Sequence, residues 1–125
     1  MEYSQYLFTS HWQKKRSEKL ALRPFCQICN SSEKLNIHHK KYRDKKTNQS
    51  ILFNERVTDL ITLCSSCHRF IHHYFGIEVL KINKKILRVR RLMELGVTKK
   101  MAFQIVSNPT IYEALYKGIL QNKKV

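Results

Sequence analysis

Residues Leu63–His73 read LCSSCHRFIHH. Cys64 and Cys67 stand three apart, His68 follows directly, and His72 comes one helical turn after it. Residues four apart on a helix share a face, so His68 and His72 are able to offer two imidazoles to one ion. A helix is expected from Cys67 to about Tyr74 or Phe75, ahead of Gly76.

Upstream, CQIC places Cys26 and Cys29 in the same spacing. Two such pairs suit tetrahedral zinc, because each forms a tight knuckle and the two knuckles close on one ion. The first predicted metal site is therefore Cys26, Cys29, Cys64 and Cys67, holding structural Zn2+. The knuckles would staple the ends of an inserted hairpin.

That insert contains LNIHH, residues 35–39, which reads as a short strand. Side chains alternate across a strand, so Leu35, Ile37 and His39 share one side while Asn36 and His38 share the other. One of the two adjacent histidines is thus able to join His68 and His72 in a second metal site. The other is free to act as a base, since imidazole titrates near neutrality.

The flanking segments fill in the α+β reading. TSHWQKKRSEKLALRP predicts a helix with Ser10 as N-cap, Gln13 completing a capping box, and Pro24 ending it. Trp12 and Leu20 are expected on its buried side, with Lys14, Lys15, Arg16 and Lys19 solvated. Residues 43–54 read as a loop closing back on the core, and RVTDLITLC as a strand or extended segment. Beyond Gly76, a stripe of Ile82, Ile86, Val89 and Met93 predicts an amphipathic helix stopped by Gly96. Thr98 and Thr110 are expected to cap two more helices. ELGVTKKMAFQIV faintly resembles a helix-turn-helix with Lys99 and Lys100 at a helix start, though packing on the core is the expected role of this region.

Composition bounds the partners. The 125 residues carry 24 Lys and Arg against 9 Asp and Glu, a formal charge of +15. Both the segment to residue 76 and the remainder are net basic, so nucleic acid is the expected polyanion ahead of an anionic membrane surface. No stretch is long and apolar enough for a membrane span, and MEYSQYLFTSHWQ does not read as a secretory signal. A cytoplasmic location follows as an expectation, in which paired cysteines bind metal more readily than they form disulfides.

Taken together, YLFTSHWQKKRSEKLALRPFCQIC, LNIHHKKY and NERVTDLITLCSSCHRFIH resemble the HNH endonuclease family, in its four-cysteine branch with a ββα-metal core. The resemblance runs over roughly residues 6–73. It implies an HNH nuclease domain over 1–76; residues 77–125 lie outside the resemblance and read, from their charge and periodicity, as a basic helical extension packed on or adjoining the core. The resemblance also assigns His38, His68 and His72 to a catalytic divalent ion, and His39 to the general base. The family's central asparagine is replaced by Asp59, which is expected to support an imidazole N–H as a carboxylate.

What the resemblance implies chemically is hydrolysis of DNA phosphodiesters, leaving 3′-hydroxyl and 5′-phosphate ends. Three imidazoles favour zinc or nickel by affinity, while magnesium or manganese serve as alternatives. Lys40, Lys41, Arg43 and Arg69 flank the site and are candidate phosphate clamps. RNA is an alternative substrate, and a monomer or homodimer is expected. Two other readings are open: a binding module without cleavage, and a nuclease that works only within a larger assembly such as a phage packaging complex.

Overall fold

A computed structural model describes residues 2–76 and 82–123. Its centre is a two-stranded antiparallel sheet, β1 (Leu35–His39) and β2 (Leu60–Cys64), in a register pairing Leu35 with Cys64 and His39 with Leu60. Every residue of β2 is buried. This is the pattern of a strand covered on both faces.

Two helices precede the sheet, α1 (Tyr3–Tyr6) and α2 (Ser10–Leu22). The cap of α2 is Thr9, one residue before the expected Ser10; its side-chain oxygen accepts from the Trp12 N–H at 3.2 Å. Gln13 reaches back to the Leu7 carbonyl instead of closing a capping box on Ser10. Trp12 is buried as expected, but so is Lys19, at 5% exposure. The reason is that α2 lies against both strands, so the lysine stem covers apolar surface and its pKa is lowered by burial and by the nearby Lys40 and Arg23 charges.

Between the strands, residues 40–59 contain the loop expected over 43–54, and the strand expected within 56–64 begins only at Leu60. Ile51 is buried, and its N–H donates to the Tyr42 carbonyl at 3.0 Å, which folds the loop back on the core. A 3₁₀ turn at Val57–Asp59 then delivers the chain into β2.

After β2 comes α3 (Ser65–Phe70), continued by a π-helical turn over Ile71–Phe75. The helix starts two residues before the expected Cys67, because the Cys64 sulfur caps it by accepting the Cys67 N–H at 3.4 Å. One cysteine therefore shapes both the knuckle and the helix start.

The C-terminal part contains α4 (Ile82–Glu94), α5 (Lys99–Val106) and α6 (Pro109–Lys123). Ile82, Ile86 and Val89 are buried as the stripe predicts, but the fourth buried position is Leu92, with the expected Met93 only partly buried against the core. Gly96 ends α4 at φ 94°, the left-handed region that favours glycine. The Val97 N–H donates to the Leu92 carbonyl and Gly96 N–H to Met93, so two orphan carbonyls are satisfied. Thr98 caps α5 as expected. Asn108, not Thr110, caps α6: its side-chain oxygen accepts the Ile111 N–H, and Pro109 takes the first helical position, where no N–H is needed.

The main core joins both parts of the chain. Cys26, Ile28, Ile61, Leu63, Cys67 and Ile71 pack in one cluster with Ile86, Val89, Leu92, Phe103 and Val106. The expected junction between residues 76 and 77 falls at the edge of the described residues. A second cluster, Tyr6, Trp12 and Leu60, fills the other side of the sheet. Among the described residues no helix is long and apolar enough to cross a membrane.

Candidate functional site

The two knuckles meet. One ligand atom from each of Cys26, Cys29, Cys64 and Cys67 lies within 4.8 Å of the others, and no disulfide links them. Cys29 Sγ and Cys64 Sγ are 3.6 Å apart. This is far beyond a disulfide bond and close to the tetrahedral edge of about 3.8 Å that Zn–S bonds of 2.3 Å require. The left-handed Asn30, at φ 65°, turns the first knuckle so that its N–H reaches the Cys26 carbonyl at 2.9 Å. The four cysteines are arranged to hold a metal ion.

A second donor set sits where β1 meets α3. His38, His68 and His72 bring one ring nitrogen each within 4.8 Å of one another. The two helical imidazoles face each other with their Nε2 atoms 2.9 Å apart, and the His38 ring lies 5.1 Å from both. His38 Nε2 is buried and has no hydrogen-bond partner. An orphaned imidazole nitrogen aimed at two others fits a metal site, since a buried polar atom without a partner is otherwise unfavourable. Burial and the neighbouring His68 and His72 push the His38 pKa down to about 4, and burial lowers that of His68 as well. Both rings stay neutral at pH 7 and keep a lone pair for coordination.

His39 faces the other way, as strand alternation requires. Its ring is 1% exposed and stacks on Trp12 at 4.6 Å between centroids. Its Nε2 lies 2.8 Å from Glu55 Oε2, and its Nδ1 lies 3.0 Å from the Tyr3 hydroxyl. Glu55 is itself buried, and also accepts from the Tyr6 hydroxyl and from His11 Nε2 at 3.1 Å. Burial raises the Glu55 pKa, but the hydrogen bonds from Tyr6, His39 and His11 outweigh it and hold the carboxyl at about 2.

Asp59 does not take the role expected of it. Its carboxylate accepts the Arg56 N–H at 2.9 Å and pairs with Lys41 and Arg56 at 3.6 Å, bracing the turn before β2. The carboxylate on the imidazole is Glu55, which sequence reasoning missed. The only signal was a lone acid inside ILFNERV in a strongly basic chain. His11 belongs to this same network, whereas His73 is exposed beside Tyr74.

The four basic candidates differ in situation. Arg69 is exposed on α3 directly after His68 in the chain, and Lys40 directly follows His39. Lys41 is engaged by Asp59, and the Arg43 guanidinium donates to the Asn48 carbonyl at 3.0 Å within the loop. Lys99 turns inward to Cys64, not outward as a helix-turn-helix contact would need.

No protein-family model, no curated protein and no solved structure matches the chain.

Proposed function

We propose that the protein is a metal-dependent HNH-type endonuclease that hydrolyses DNA phosphodiester bonds. The observation carrying this reading is the division of labour between two adjacent histidines. His38 joins His68 and His72 in a three-imidazole cluster, while His39 is held by a carboxylate on the opposite side of the strand. A metal-binding set beside a carboxylate-supported imidazole is what hydrolysis by an activated water needs.

His38, His68 and His72 would hold one divalent ion, and the four cysteines a structural zinc. When bound, the catalytic ion supplies Lewis-acid stabilisation of the negative charge that builds on the phosphate. His39 is the base that accepts a proton as the attacking water is activated, and Glu55 stabilises the imidazolium that results. Water adds to phosphorus as the bond to the 3′ oxygen breaks. Arg69 and Lys40 supply positive charge for the phosphodiester backbone, an interaction that gives affinity without sequence information. The overall charge of +15 fits a polyanionic substrate.

The test is nicking of supercoiled plasmid by the zinc-loaded protein with magnesium, manganese, nickel or zinc, against EDTA and His39→Ala. Metal-dependent nicking reduced at least about 100-fold in His39→Ala supports the reading, since general bases contribute that much or more. Absence of cleavage with every metal by folded wild type would overturn it.

A further inference from the structure

The buried polar network around His39 is larger than a base needs for its own solvation. Glu55 gathers three donors, from Tyr6, His11 and His39, and is 3% exposed. It enters the core two residues after Phe53, whose φ of 71° is left-handed without being glycine. Such a conformation is unfavourable for a residue with a Cβ and is retained where surrounding contacts impose it. The Phe53 ring supplies those contacts, edge-on to Tyr6 at 4.9 Å and beside His11 at 5.3 Å.

An ionised carboxylate only accepts hydrogen bonds. The proton on a neutral His39 ring must therefore sit at Nε2, facing Glu55, and the lone pair at Nδ1. The Tyr3 hydroxyl, 3.0 Å from Nδ1, is then the donor in that contact. His39 is closed to solvent, whereas Tyr3 is 39% exposed. Of these two side chains, the tyrosine is the one with solvent-exposed surface.

We infer that Tyr3, His39 and Glu55 form a proton relay, in which Glu55 is the positioning residue that fixes the His39 tautomer and Tyr3 is its outer member. The reacting water passes a proton to the Tyr3 oxygen as the tyrosine passes its own to His39 Nδ1. Hydroxide is released toward phosphorus, tyrosine is restored, and the positive imidazolium faces the Glu55 carboxylate. The relay rests on the nuclease reading above; the tautomer does not.

The experiment combines long-range ¹⁵N–¹H spectra of the histidine rings in the full-length, zinc-loaded chain with single-turnover cleavage by Tyr3→Phe. The expected spectrum shows His39 as the Nε2–H form, and Tyr3→Phe is expected to lower kcat by 10-fold or more at unchanged KM and zinc content. Glu55→Gln, which retains an acceptor, is expected to keep more activity than Glu55→Ala. An Nδ1–H ring in the wild type overturns the assignment of Glu55. Unchanged or faster cleavage by Tyr3→Phe overturns the relay and makes Tyr3 a plug on the base. If folded wild type cleaves nothing, the nuclease reading and the relay fall together, and the ring spectrum still decides the tautomer.

Discussion

Lys99 Nζ lies 3.8 Å from Cys64 Sγ, which brings a cation from α5 to a knuckle set at the end of β2. Burial lowers the lysine pKa and the surrounding cysteine sulfurs raise it, with the net effect upward. Four thiolates on a divalent ion leave two uncompensated negative charges, and a nearby ammonium offsets part of them. Lys99→Met keeps the stem and removes the charge. It is expected to weaken zinc retention by about 1 kcal/mol, roughly five-fold in chelator competition, while Lys99→Arg stays near wild type. Equal retention in the Met variant would mean that the contact is incidental.

Phe103 connects α5 to the helix that carries the histidines. It is fully buried, with ring centroids 5.3 Å from Phe70 and 5.4 Å from Phe75. Truncation to alanine opens a cavity under the π-helical turn and is expected to cost about 3–5 kcal/mol in denaturant unfolding. A loss below about 1 kcal/mol would show that the C-terminal helices do not support the core.

The sequence made the metal donors legible because their spacing is local. Cys64, Cys67, His68 and His72 lie within one knuckle and one helix, so spacing alone places them together. The split between His38 and His39 follows from strand alternation, which needs no tertiary knowledge. Glu55 was hidden because its approach to His39 depends on the path of residues 40–55, including the left-handed Asn48 and Phe53, for which no simple periodicity exists. Asp59 stands where the resemblance to HNH nucleases implies an asparagine, yet the short 3₁₀ turn spends its carboxylate on Arg56 N–H. Lys19 is expected in solvent because charge is a surface signal, but a long stem lets a lysine pack along a core, as Lys19 does, or end at a sulfur, as Lys99 does.

Glu55 makes stability pH-dependent in a defined direction. Its carboxyl sits at about 2 in the folded chain against an ordinary 4.5. A depressed carboxyl contributes fully above the unfolded value and loses that contribution as pH falls through the folded one. Stability should therefore decline from about pH 4.5 down to about pH 2, by as much as roughly 3 kcal/mol from this group. Glu55→Gln should be less stable at pH 7 and flatter across that window. An unfolding free energy with the same slope in both proteins would remove Glu55 as the source.

The two donor sets should separate in a metal titration. The cysteine cluster is built into the main core, with Cys26 and Cys67 fully buried among Ile28, Leu63 and Ile71, so losing its ion also unpacks apolar surface. Cys26→Ser is expected to lower zinc content by one equivalent and to broaden or abolish cooperative unfolding, because metal binding and folding are linked in such sites. The histidine cluster is partly exposed at His68 and His72 and its members lie outside the two apolar core clusters. His72→Ala should lose only the weaker, exchangeable ion, keep the tightly bound one, and unfold within about 0.5 kcal/mol of wild type. Atomic absorption after dialysis, with thermal unfolding on the same samples, distinguishes the two. A His72→Ala protein that loses both ions, or a wild type that never binds more than one, would show that the imidazoles and thiolates do not form separate sites.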